Sequence, residues 1–401
     1  ATRKLPSSKP PYDNEMSHRA FWNLAGRAGR IGHDSVGVIG IAAGKEPNEV
    51  RKYVSDATAS LVSRLEGMLD DLQTAGKLAD LSWVMQQEQW ADFRSYIAHL
   101  WNEKRNLDAV IGEAEQLLRN TYGFGSLRAK ADKASQEKAD ALLEATKGYV
   151  RKLAEHPENA SLADVTGFSP EGVRSTLLDL NNLENKLTLA DWEPSSLFGD
   201  KSKSVLPSLM GIMLRVPQLQ ESLREISKGQ GNSHRKLADI TQAWVTGSSI
   251  ESIAKTYFEG DSLTDQISKA CRAVYRDLAN NGAWGLSALS KMPTSGLDFE
   301  AMTDEEKRRL NNLPAMLYHG VKTEEGVLMR MNSVPRSIAE RAGEDFKART
   351  EAGAEKTLSP RKASEYLKSL KPDDWARLKP DNSSLSGEDY LKVWKRLSGE
   401  A

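Results

Sequence analysis

Two arginines three residues apart, Arg27 and Arg30, are the side chains whose type and spacing are best suited to chemistry. They project from one side of the end of an apolar helical pattern (Met16, Phe21, Leu24, Ala25, Ala28) that Asp13 or Asn14 would cap. Gly26 and Gly29 leave backbone room between them, and Gly32 opens a turn into the β-branched run at 35–42. Paired guanidiniums on a glycine-cleared surface suit multidentate contact with phosphate oxygens, and in phosphoryl transfer they offset charge developing on the γ-phosphate. The alternative is an arginine-rich helix end that complements the helix macrodipole.

With the helical pattern before it and the strand after it, Phe21-Trp22-Asn23-Leu24-Ala25-Gly26-Arg27-Ala28-Gly29-Arg30 resembles motif VI of superfamily 2 helicases. It is most similar to the superkiller-like, DEAD/DEAH-box branch, whose motif reads Gln-x-x-Gly-Arg-x-Gly-Arg; Asn23 stands at the glutamine position. The resemblance implies that residues 1–45 close the second RecA-like lobe of a motor. It further implies that Arg27 and Arg30 are catalytic at the γ-phosphate and that Asn23, Gly26 and Gly29 line the nucleotide. ATP and Mg2+ would be held mainly by another lobe. The chain contains neither a Gly-x-x-x-x-Gly-Lys-Ser/Thr loop nor an acidic box, and Gly40 to Glu46 is one residue short and reads as a strand end. By itself the chain is therefore not expected to hydrolyse ATP. It starts Ala-Thr-Arg rather than with Met, and is expected to be an internal piece of a longer protein.

The elements that must position such a site are helical. Of 401 residues, 39% are apolar and 28% charged, and 55 basic against 56 acidic residues leave a net charge of −1. No global field advertises a nucleic-acid or membrane surface, so any basic groove is local. Cys271 is the only cysteine, which excludes an intrachain disulfide and fits a reducing cytoplasm. The longest apolar run, 36–44, is about half of the ~20 residues a membrane span needs. The expected fold is mainly α: a short α/β remnant of a RecA-like lobe, then a large all-helical region with a winged-helix-like module. The boundaries are a lobe remnant at 1–45, a helical expansion at 46–155 and a helix-turn-helix or winged-helix-like module at 156–206. A ratchet-like helical bundle follows at 207–345, then a C-terminal helical segment at 346–401.

Apolar positions from Val50 to Leu72 recur at three and four, as do the aromatics from Trp83 to Trp101, which read as core, and Leu107 to Leu118. Breaks are expected at 122–126, 193–196, 199–204, 228–233 and 291–296. Residues 162–178 have helix-turn-helix cadence with Ser169 as N-cap and Pro170 at the first helical position. One cation on the second helix, Arg174, is too few for a DNA reader, so a scaffold role is favoured. The segment 243–281, with Trp244, Gly247 and Glu259-Gly260-Asp261, resembles the helical bundle of the same helicases, as do Asn312 to Val321 and Met331 to Glu340. The last two are expected to hold a Leu-Pro-started helix, a turn and a short Val-Pro-Arg helix.

In that bundle Trp244 and Gly247 read as packing residues, and Leu263, Ile267, Ala270, Cys271, Val274 and Leu278 as the buried stripe of one helix. Lys269, Arg272 and Arg276 fall elsewhere on it and are the candidates for phosphate contact, against a solvated basic face. Arg336, at a helix start, would bind a phosphate or cap a neighbour. The six histidines show no ligand spacing, so no metal site is expected.

The function so expected is the C-terminal portion of an ATP-dependent helicase that couples hydrolysis to strand translocation and unwinding. Its expected partners are single-stranded or partly duplex nucleic acid and the missing RecA-like lobe or a subunit carrying it, with no membrane. Antiviral defence is a guess by analogy with bacterial helicases that carry similar expansions. The alternative is a non-enzymatic helical scaffold that retains a lobe remnant.

Overall fold

The computed structural model describes residues 90–130, 132–227, 232–351, 359–381 and 383–399. Among the described residues the chain is mainly helical and has no strand. The 35–42 run, the 50–72 helix, Asn23, Gly26, Arg27, Gly29 and Arg30 lie outside them. No helix among the described residues is long and apolar enough to cross a membrane.

The chain forms two compact units, residues 1–87 with 106–152, and 88–105 with 153–401. In chain order, α1 (Ala91–Lys104) belongs to the second unit, while α2 (Leu107–Arg119), α3 (Tyr122–Ala129) and most of α4 (Lys133–Ala154) belong to the first. In the first unit the Asn106 side chain caps α2 by accepting from the Ala109 N–H at 2.9 Å. The 122–126 stretch, expected as a break, is helical. Thr121 caps it, and Phe124 is buried with the Arg119 and Arg128 guanidiniums 5.8 and 5.7 Å from its ring centre. Burial of one aromatic outweighs the weak helix propensity of two glycines.

In the second unit α1 packs on α5 (Pro157–Thr166), which turns into α6 (Pro170–Asn181). The turn follows the expected cadence: Gly167 has φ +74°, and the Ser169 hydroxyl accepts from the Gly172 N–H at 3.2 Å. The two helices are joined directly by this turn, and no strand follows among the described residues. Glu171 of α6 pairs with Arg94, which is 1% exposed, and Asp179 with Arg215, each at 2.7 Å. Within the aromatic pattern of α1 the inward positions are Arg94, Ile97, Ala98 and Leu100, whereas Tyr96 is exposed.

After a 3-10 turn (Leu189–Trp192) and α7 (Pro194–Leu197) come α8 (Leu206–Met213), α9 (Pro217–Ser227), α10 (Ser233–Val245), α11 (Ile250–Tyr257) and α12 (Leu263–Cys271). The last continues as a π-helix over Arg272–Gly282 and then α13 (Ala283–Ser290). Next are α14 (Asp304–His319), α15 (Glu324–Met331) and α16 (Arg336–Glu351), then α17 (Pro360–Ser369), α18 (Pro372–Leu378) and α19 (Gly387–Ser398).

Tryptophans fasten distant segments by burying the ring while the indole N–H donates to a backbone carbonyl. Trp192 reaches Ser295, Trp244 reaches Leu317, Trp284 reaches Thr166 and Trp394 reaches Asn332, at 2.7 to 2.9 Å. Trp284 also meets Phe168 edge-on at 5.6 Å, which seats the α5–α6 turn on the bundle.

Two local expectations are corrected. The Leu313-Pro314 pair does not start a helix: α14 begins at Asp304, where Thr303 and Glu306 form a capping box, and Pro314 lies inside it. Burial of Leu310, Leu313, Met316 and Leu317 carries the helix past the missing proline N–H. The Val-Pro-Arg segment opens a 16-residue helix, α16, rather than a short one.

The stripe expected on 263–281 is also redistributed. Ala270, Val274 and Leu278 are buried, but Leu263 is exposed, Ile267 and Cys271 are half-buried, and Ala273, Asp277 and Ala279 join the core. The wider π winding from Arg272 onward brings different residues inward than a 3.6-residue period would.

Candidate functional site

The bundle is organised around Trp244, which is 1% exposed at the end of α10. Its ring lies under Gly320, the αL residue (φ +67°) that ends α14, where any Cβ would collide with the indole. The packing role expected of Trp244 is what the structure has, and Gly247 adopts φ +96° in the turn after it.

Arg336 opens α16 and stacks on this indole, its guanidinium carbon 4.1 Å from the ring centre. Nη1 donates to the Trp244 carbonyl at 2.8 Å and the Gly320 carbonyl at 3.4 Å, and Nη2 to the Ser248 carbonyl at 2.5 Å. The side chain thus caps neighbouring chain ends, the second of the two roles foreseen for it. On another side Tyr275 meets the indole edge-on at 5.2 Å while remaining 53% exposed.

Arg330, on the last turn of α15, completes the cluster. Its Nη1 donates to the Val334 carbonyl at 2.6 Å, bracing the turn in which Ser333 takes φ +65°. Its Nε is enclosed and has no hydrogen-bond partner. The Tyr275 hydroxyl lies within electrostatic reach of both Arg330 and Arg336, which feel each other. Burial pushes both guanidiniums below the usual arginine range. Burial and the Arg330 charge lower His319 as well. Among the described residues no carboxylate pairs with Arg330, Arg336 or His319.

The other candidates on the same helix differ. Lys269 is bound by Asp265 at 2.8 Å and donates to the Glu259 carbonyl at 2.9 Å. Arg276 makes a two-point contact with buried Asp277, both bonds at 2.8 Å. Arg272 is exposed, with no acidic partner among the described residues. The structure therefore does not gather the four cations into one track. It sets Arg336 and Tyr275 against the same Trp244 indole, and sequence reasoning passed over Tyr275. Arg330 and Arg336 flank the Asn332-Ser333-Val334-Pro335 turn, a spacing open to inspection, but nothing in the sequence ties Tyr275 to them.

An open groove of about 990 Å3 lies between α7, α14, α15 and the end of α16. Its Arg308 pairs with Glu324, Arg309 with Glu193 and Lys347 with Glu325, at 2.8 to 3.2 Å. Among the described residues no group of three or more His, Cys, Asp or Glu side chains could hold a metal ion. No model of a known protein family, no curated protein and no solved structure matches this chain.

Proposed function

We propose that this chain is the C-terminal portion of an ATP-dependent superfamily 2 nucleic-acid helicase. The observation that carries the reading is the Gly26-Arg27-Ala28-Gly29-Arg30 run between an apolar helical pattern and a β-branched strand pattern. In this proposal Arg27 and Arg30 complete a nucleotide site whose main lobe lies elsewhere, and stabilise charge on the γ-phosphoryl as it transfers. Asn23, Gly26 and Gly29 line that site. ATP is the substrate, and Mg2+ would neutralise its phosphates from the other lobe.

The helical order from α10 to α12 gives secondary support, because a tryptophan-glycine turn, a short helix, Glu-Gly-Asp and a further helix follow one another as the resemblance implies. Nucleic acid is the proposed partner of this bundle, with Arg272 the cation of α12 and its π continuation that is open to a phosphate.

The test is Arg30→Ala in the protein that carries the whole motor. ATP binding should persist while turnover falls by roughly 10³-fold or more, the scale of an arginine finger. Unchanged turnover would defeat the assignment and favour the helical scaffold instead.

A further inference from the structure

We infer that the open groove along α14 and α15 is a docking site for a basic amphipathic helix of a partner protein, one that sets leucine-like anchors beside lysine or arginine. The first argument is the floor. Met316 and Val327 are buried there, Leu328 is half-buried, and Met331, on the last turn of α15, is 60% exposed. Val327, Leu328 and Met331 recur at three and four, so one side of α15 lends apolar side chains to the groove. Methionine is unbranched and polarisable and adapts to an incoming side chain, and an exposed one gains by being covered. A volume of about 990 Å3 is also the right size, since a helix about 10 Å across fills it with roughly two turns.

The second argument is charge. Three cations of the walls are already engaged: Arg308 with Glu324, Arg309 with Glu193 and Lys347 with Glu325. These pairs tie α14 to α15, α14 to the start of α7 and α16 to α15, so they hold the walls apart at a set width. Two further carboxylates line the groove, Glu305 on the first turn of α14 and Glu351 at the end of α16, and neither has an ion pair among the described residues. Asp304 and Glu306 flank Glu305 and make that end more negative. Against them stands one lining cation outside the pairs, the exposed Lys322. An apolar floor with methionine at its edge and carboxylates on its rim is complementary to a helix with one apolar and one cationic face.

This inference does not rest on the helicase reading, which Arg30→Ala tests separately. The full chain is titrated by fluorescence anisotropy with three labelled peptides of one helical leucine pattern, whose remaining positions are all lysine, all glutamine or all glutamate. The same titrations are run on Met331→Ser, on the double variant Glu305→Gln with Glu351→Gln, and on Leu397→Ser. Leu397 is equally exposed but lies on α19, outside the groove lining. Unfolding midpoints and sedimentation are followed for each protein.

The lysine peptide should bind about tenfold or more tightly than the glutamate peptide, with the glutamine peptide between them. Met331→Ser should weaken the lysine peptide by about fivefold, and the double glutamine variant by about tenfold, a loss that shrinks as salt is added. Leu397→Ser should change binding by less than about twofold. The inference is overturned if the lysine peptide does not bind, if peptide charge makes no difference, or if both groove variants bind like the unaltered chain. An equal loss in Leu397→Ser would show adhesion to any exposed apolar side chain and would overturn it too. Self-association that Met331→Ser abolishes would give the groove to a second copy of this chain, against the inference. Should one groove variant fail to fold, the other decides the matter.

Discussion

The two ends of α16 are held by opposite means. At its start, Arg336 enters a pocket of indole, phenol and backbone carbonyls in which the described residues place no carboxylate. Along its later turns, carboxylates and guanidiniums clasp the C-terminal helices. Asp345 meets Arg349 at 2.8 Å, Arg377 at 3.0 Å and the Tyr366 hydroxyl at 2.7 Å, and Arg349 reaches Asp374 at 3.1 Å. The first attachment depends on burial and shape; the second lies nearer water, where ion pairs are screened and individually weak. One helix thereby joins a packed core to a salt-sensitive clasp, and the unsatisfied charge falls on the core side.

The largest expected effect is at the core end. Trp244→Ala removes a buried indole, the stacking surface of Arg336 and the donor to the Leu317 carbonyl, and should cost about 3–5 kcal/mol in urea unfolding. Gly320→Ala adds a Cβ against that indole at a positive φ and should cost about 1–3 kcal/mol by the same measurement. If Gly320→Ala were neutral, the close seat of Trp244 under the end of α14 would be wrong.

At the other end, Asp345→Asn should cost about 1–2 kcal/mol, with the gap from the unaltered protein narrowing as salt is added. A gap that ignores salt would show the clasp to be held by packing instead. Smallest is Tyr366→Phe, about 1 kcal/mol for one hydrogen bond.

This last change carries a pH signature. Burial, with the hydrogen bond from its hydroxyl to Asp345 and that carboxylate's charge, raises the Tyr366 phenol far above its usual value. In the unfolded chain it ionises near about pH 10, so its contribution is whole below that pH and shrinks as the pH climbs further. The difference in unfolding midpoint between Tyr366→Phe and the unaltered chain should therefore close in alkali.

Much of the helical frame could be read in advance because its signals are local. Ser169-Pro170 caps and starts a helix as its residue types require, and Leu107 to Leu118 falls on α2. Expectations failed where burial overruled such signals: Phe124 keeps a glycine-rich stretch helical, and buried leucines carry α14 through Pro314. The site was half legible. Arg336 could be picked out at its helix start, and its alternative as a cap was open, but which carbonyls it would meet depended on a turn some ninety residues away.

What the sequence by itself determined is the class of element, the capped ends and the near balance of charge, since these follow from side-chain chemistry within a few turns of chain. Only the tertiary structure decided which cations keep a carboxylate and which do not. Arg276 finds Asp277 next door, whereas Arg336 is brought onto Trp244 by the crossing of helices far apart in the chain. Composition cannot distinguish these cases, because electrostatic cost depends on the distance to the nearest opposite charge and on the water excluded between them.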